Sequence, residues 1–166
     1  MLACGTDAGK EARRPALNER RSVALRKVLV LNGPNLNLLG TREPEIYGSE
    51  TLDAINQRLI ALGKAQGLEV ECRQSNHEGV LVDWLHEARG QVHAVLLNAG
   101  AYTHTSIALL DAIKATELKV IEVHLSDPET REGFRHISYV GMAAIDCVKG
   151  LGAKSYEVAL EKAASL

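Results

Sequence analysis

A chain of 166 residues with 46% hydrophobic and 24% charged side chains has the size and balance of one globular domain, which argues against disorder, collagen and coiled coil. Its formal net charge of -2 and aromatic content of 4% argue against nucleic acid held by bulk charge or by stacked bases. No apolar run approaches the ~18 residues of a membrane span, so no membrane partner is expected.

Residues 1–25 read as a mobile, mildly basic extension with no apolar h-region, and residues 26–166 as a single domain. KVLVLN (27–32) is a short apolar run stopped by Gly33-Pro34, the pattern of a buried strand. Residues 33–50 form a loop rich in Gly, Pro and Asn, long enough to be a lid or binding loop. From about Thr51 to Gln66, Leu52, Ile55, Leu59 and Leu62 recur at helical spacing, and Gly67 follows. LEVECR (68–73) alternates as a strand, and residues 78–89 read as a helix. VHAVLLN (92–98) is a third strand, followed by a helix carrying Ile107, Leu110 and Ile113 that Thr103 or Thr105 can cap. LKVIEVHL (118–125) is a fourth strand, 140–148 a fifth, and a last helix runs to about Lys162. The alternation of strand and helix predicts an α/β fold, an open parallel sheet with helices on both faces.

Ligands of such sheets bind beyond the carboxyl ends of the strands. There the chain places Asn32 and Asn35, then Asn98, then Glu122, His124 and Ser126. Glu122 and His124 are two apart and share a face, and a carboxylate inside an apolar strand needs a partner. The long loop adds Arg42 and Tyr47, a pair in which a guanidinium favours phenolate. Arg131, Arg135 and His136 follow the fourth strand and suit an anion, together with backbone N–H groups beside Ser126. Cys4, Cys72 and Cys147 are scattered, without metal-knuckle or disulfide spacing, and read as thiols of a reducing cytoplasm. No Gly-x-Gly-x-x-Gly, Walker loop or His/Cys ligand pair appears, so neither a metal nor a nucleotide cofactor is expected. These residues suit metal-free proton transfer on a small polar anion. The fold alone leaves a flavin or phospho-acceptor module open, although the strand ends carry Asn35 and Asn98 where a receiver needs acids.

The blocks LNGPNLNLLGTREPEIYG (31–48), RQSNHEG (73–79), LNAGAYTHTSIALLDA (97–112), IEVHLS (121–126) and REGFRHISY (131–139) resemble type II 3-dehydroquinate dehydratases, in order and spacing. The resemblance implies a flavodoxin-like sheet of order 2-1-3-4-5. It also implies elimination of water from 3-dehydroquinate through an enolate, without cofactor, in a cytoplasmic homododecamer. Carried over by motif, Tyr47 is the base at C2, Arg42 lowers its pKa, and His124 is the acid at the C1 hydroxyl. Asn35 holds the water that stabilises the enolate oxygen, and Glu122 orients the catalytic pair. Asn98, Leu125 and Ser126 bind substrate, His104 and Arg135 take the ring hydroxyls, Asp111 reaches a neighbour's site, and Arg131 clamps the lid. The chain departs from the family pattern at Leu110, at Asp127-Pro128 and at Gly141-Met142.

Overall fold

The computed structural model describes residues 26–41 and 50–166. The expected N-terminal extension, 1–25, and residues 42–49 of the expected long loop, with Arg42 and Tyr47, lie outside the described residues. In chain order the elements are β1 (Arg26–Asn32), α1 (Leu52–Ala65), β2 (Leu68–Gln74), α2 (Glu78–Ala88) and β3 (Ala94–Asn98). They continue with α3 (Ile107–Thr116), β4 (Val120–Val123), β5 (Asp146–Val148) and α4 (Lys154–Ala164). Among the described residues the sheet has five strands, all paired in parallel, in the order β2-β1-β3-β4-β5. This is the expected flavodoxin-like arrangement, with its switch point between β1 and β3.

The central strands are apolar on both sides because helices cover both faces. Val28, Val30, Leu96, Ile121 and Val123 pack with Ile55 and Leu59 of α1 and Tyr156 and Leu160 of α4. Leu29, Leu31, Val95, Leu97 and Val120 pack with Leu81 and Leu85 of α2 and Leu109 and Ile113 of α3. α1 begins where the Thr51 hydroxyl accepts the Ala54 N–H at 3.2 Å, and Asp53 and Lys64 complement its dipole at the two ends.

Three expectations are corrected. The cap of α3 is Ser106, whose Oγ accepts the Leu109 N–H at 2.9 Å, rather than Thr103 or Thr105. Thr103 lies in a 3-10 turn, Gly100–His104, where its hydroxyl serves Glu122. The fifth strand begins at Asp146, not at 140. Val140 is buried, and its carbonyl accepts from Ala143 and Ala144 N–H, so that stretch closes into a turn before pairing with β4 starts. The fourth strand is also shorter than expected, ending at Val123, so His124 and Leu125 sit just past the sheet.

Candidate functional site

A cleft opens at the carboxyl edge of the sheet, at the switch point. Pro34, Asn35, Leu36 and Leu39 line it after β1, and Asn98, Gly100, Ala101 and His104 after β3. After β4 it is lined by His124, Leu125, Ser126, Pro128, Arg131 and Arg135. The first two loops meet because residue 33 is glycine. Its N–H donates to Asn98 O at 2.8 Å, and a Cβ there would stand 2.4 Å from Ala99 O. Asn35 then turns the chain at φ 66°, a conformation Asn tolerates better than most residues.

Asn98 is held from beneath by a directed chain of hydrogen bonds. The Gly100 N–H donates to Asn98 Oδ1 at 3.2 Å, which leaves Asn98 Nδ2 to donate to the Tyr156 hydroxyl at 2.8 Å. That hydroxyl donates to Asn32 Oδ1 at 2.6 Å, and Asn32 Nδ2 donates to Arg73 O at 3.3 Å. A backbone N–H at one end and a carbonyl at the other fix the polarity of every amide between them. Burial holds the Tyr156 hydroxyl in its protonated form far above neutral pH.

Behind the cleft wall His124 Nε2 lies 2.9 Å from Glu122 Oε1. Glu122 is 2% exposed and His124 8%, so the pair is nearly dry. A carboxylate accepts only, so Nε2 carries the hydrogen, which leaves Nδ1 as the nitrogen not engaged by Glu122. Thr103 Oγ1 and Ser138 Oγ donate to the same Glu122 oxygen, the latter at 2.7 Å. Burial pushes the Glu122 carboxyl up. The bond and charge of His124 with the two hydroxyls more than offset this, and its pKa settles below the ordinary value. The His104 ring stacks on His124 with centroids 6.5 Å apart and planes 10° apart, and its Nδ1 donates to Ile137 O at 2.8 Å. Burial lowers the His104 pKa, partly opposed by that bond.

The cleft lining is also basic. Arg131 and Arg135 both reach the cleft, and Arg135 Nε donates to Glu132 at 2.8 Å. Leu125 and Ser126 line the cleft, and their backbone N–H groups meet no acceptor among the described residues. Such donors beside guanidinium groups suit a carboxylate.

Of the expected site residues, Asn35, Asn98, His104, His124, Leu125, Ser126, Arg131 and Arg135 come together around the cleft, with Glu122 directly behind. Asp111 does not line it and is exposed on α3. Arg42 and Tyr47 lie outside the described residues. The sequence reading did not single out Tyr156, Thr103 or Ser138 for the site. One signal for Tyr156 was available: Asn32 and Asn98 are register partners at the ends of β1 and β3, and two buried amides side by side need a third polar group. Among the described residues no group of three or more His, Cys, Asp or Glu is placed to hold a metal, and no helix is long and apolar enough to cross a membrane.

Comparison with known proteins agrees with this geometry. The sequence profile described as dehydroquinase class II matches residues 26–164. The 3-dehydroquinate dehydratase of Ruegeria pomeroyi is 56% identical over 138 residues, covering 83% of this chain and 93% of that protein. That of Caulobacter vibrioides is 56% identical over 142 residues, covering 86% and 97%. The crystal structure of the type II dehydroquinase from Butyrivibrio crossotus superposes with a TM-score of 0.82 at 42% identity, covering 84% of this chain and 97% of that one. The type II dehydroquinase from Propionibacterium acnes gives 0.81 at 43% identity, covering 85% and 97%.

Proposed function

The chain belongs to the class II dehydroquinase family, and from that premise we propose how its cleft dehydrates 3-dehydroquinate to 3-dehydroshikimate. The observation that carries the reading is the dry Glu122–His124 pair at a cleft that also holds the Leu125 and Ser126 N–H groups and the guanidinium groups of Arg131 and Arg135. A small carboxylate anion docks on those donors, with Arg131 closing over it. Asn98 binds the substrate from the sheet side, and His104 and Arg135 take the ring hydroxyls.

The reaction removes a proton from C2 and hydroxide from C1. Tyr47, as phenolate beside Arg42, takes the C2 proton, and the electron pair delocalises into the C3 carbonyl as an enolate. A water held by Asn35 donates to the enolate oxygen. As the enolate collapses, His124 passes a proton from Nδ1 to the departing C1 hydroxyl, which leaves as water. Glu122 keeps Nε2–H in place and compensates the imidazolium charge. No step in this scheme calls for a cofactor.

Residues 26–166 are read as the catalytic domain. The assembly is read as a homododecamer in which Asp111, exposed on α3, completes a neighbour's cleft. Exposed apolar side chains support an oligomer: Phe134 at 70%, Met142 at 61%, Ile145 at 52% and Ile137 at 51%. The thiols of Cys72 and Cys147 are unpaired, which suits the reducing cytoplasm as its location. The decisive test is ultraviolet absorbance with 3-dehydroquinate. The conjugated enone of the product must appear on adding the protein and not with its His124→Ala variant. Equal rates with and without the protein would refute the activity.

A further inference from the structure

We propose that Thr103 and Ser138 are positioning residues for the reaction: their hydroxyls hold the Glu122 carboxylate as an oriented anion, and through it fix the His124 tautomer. This rests on the dehydratase reading of the cleft. Thr103 is fully buried, and its hydroxyl donates to Glu122 Oε1. The Gly141 N–H donates to Ser138 Oγ at 2.7 Å, so one lone pair of that hydroxyl is occupied and its proton is turned to Glu122 Oε1 at 2.7 Å. With His124 Nε2, one carboxylate oxygen receives three donors.

The two hydroxyls come from segments far apart in sequence, and the backbone ties those segments together at this point. Tyr139 N–H donates to Thr103 O at 2.8 Å, and His104 Nδ1 to Ile137 O at 2.8 Å. Gly141 completes the support. A Cβ there would fall 2.7 Å from Glu122 Oε2 and 2.9 Å from Ser138 Oγ, so only glycine lets its N–H reach the serine without displacing the carboxylate.

The burial that opposes a charge on Glu122 stays when a hydroxyl is removed, whereas the compensation shrinks. The titratable groups facing Glu122 are His124 just beyond β4, Cys147 as its register partner on β5, and His104 from the 3-10 turn. Behind these, Arg135 acts on His104, and Asp127 faces His124. None of them replaces a hydroxyl donor aimed at Oε1.

The test uses Thr103→Val, which keeps the volume and removes the donor, Thr103→Ser, which keeps the donor, and Ser138→Ala. Carbon NMR of labelled glutamate in the free protein reads Glu122 titrating about one pH unit higher in Thr103→Val and in Ser138→Ala than in the native protein, the scale of one hydrogen bond to a buried charge. Thr103→Ser keeps the native profile. An inactive native protein defeats the dehydratase reading alone, and the carboxyl titration then still decides this inference. If Thr103→Val folds poorly, Ser138→Ala carries the test. Variants that lose rate while the Glu122 titration stays at the native pH, or a Thr103→Ser that shifts as far as Thr103→Val, overturn the proposal.

Discussion

The Tyr156 hydroxyl, fully buried in α4, takes a 2.8 Å hydrogen bond from the amide of Asn98, 58 residues earlier in the chain. That bond decides which end of the Asn98 amide is spent on the protein. With Gly100 N–H on Oδ1 and Tyr156 on Nδ2, the amide has one orientation, and its remaining hydrogen and lone pair are aimed before substrate arrives. Tyr156 thus acts through Asn98 from a position the substrate never reaches.

Tyr156→Phe keeps the ring and removes the relay. Asn32 Oδ1 and Asn98 Nδ2 each lose a buried partner, a cost of about 1–3 kcal/mol in stability. Asn98 becomes free to flip, so KM for 3-dehydroquinate rises on the order of tenfold, while kcat changes less than about threefold because the proton-transfer groups are untouched. Steady-state kinetics and thermal melts check both. A variant with native KM and a lowered kcat contradicts the assigned role.

Glu122 gives a pH dependence of stability with a definite sign. Burial alone raises its pKa, but the donors and the charge of His124 win, and its folded value lies below the ordinary 4.5. The unfolded chain then binds this proton more readily than the folded one. The stabilisation is complete above about 4.5 and is lost as pH falls through the folded value. Melts between pH 3 and pH 7 therefore show a steeper fall in Tm below 4.5 for the native protein than for Glu122→Gln. Parallel curves for the two proteins would remove the carboxylate from the account.

Most of the fold was legible because both helical and strand periods are strong here. Leu52, Ile55 and Leu59 mark α1, and the continuous apolar runs ending in Asn32 and Asn98 mark strands covered on two faces. The sheet edge could be read because polar residues interrupt those runs at equivalent places. The cap of α3 differs from the expectation because Thr103, Thr105 and Ser106 can all cap by type and lie within four residues, and the Thr103 hydroxyl is taken by Glu122. The fifth strand was drawn too long because Val140 is apolar and buried, yet belongs to a turn packed on the α2 and α3 side. Tyr156 is not legible because it sits on the buried face of an amphipathic helix, and its hydroxyl matters only through two asparagines on other elements.

Gly33→Ala should be among the most damaging small substitutions. The added carbon meets Ala99 O at 2.4 Å and Ala99 C at 2.6 Å, both backbone, and neither can swing aside. The β1 and β3 ends must part, which strains the 2.8 Å bond from Gly33 N to Asn98 O. Overpacking of this kind costs about 1–3 kcal/mol, or roughly 2–12 °C in Tm for a domain of this size. Gly79→Ala, where a Cβ meets nothing within 4 Å, is the matched control; it lies in the first turn of α2, so alanine should leave Tm native or raise it by a few degrees, and not lower it. Equal melting of the two variants would show that the two strand ends tolerate the carbon.

The division of labour between Tyr47 and His124 is open to a direct isotope test. The C2 proton is weakly acidic even beside a carbonyl, so its base must be strong, and phenolate is stronger than imidazole. The C1 hydroxyl leaves poorly and needs a proton, which the proposed mechanism takes from His124 Nδ1, with Nε2 held by Glu122 at 2.9 Å. Tyr47→Phe removes the base and should lower kcat by about 10² to 10⁴, the usual weight of one acid–base group. Arg42→Gln should lower kcat and move the pH optimum upward, since the phenolate loses its cation. His124→Ala should also lower kcat, yet keep slow exchange of the C2 proton with solvent deuterium, because Tyr47 still forms the enolate. Proton NMR of 3-dehydroquinate in deuterium oxide separates the two. Native exchange in Tyr47→Phe together with none in His124→Ala would reverse the assignment and move the base from Tyr47 to His124, just past β4.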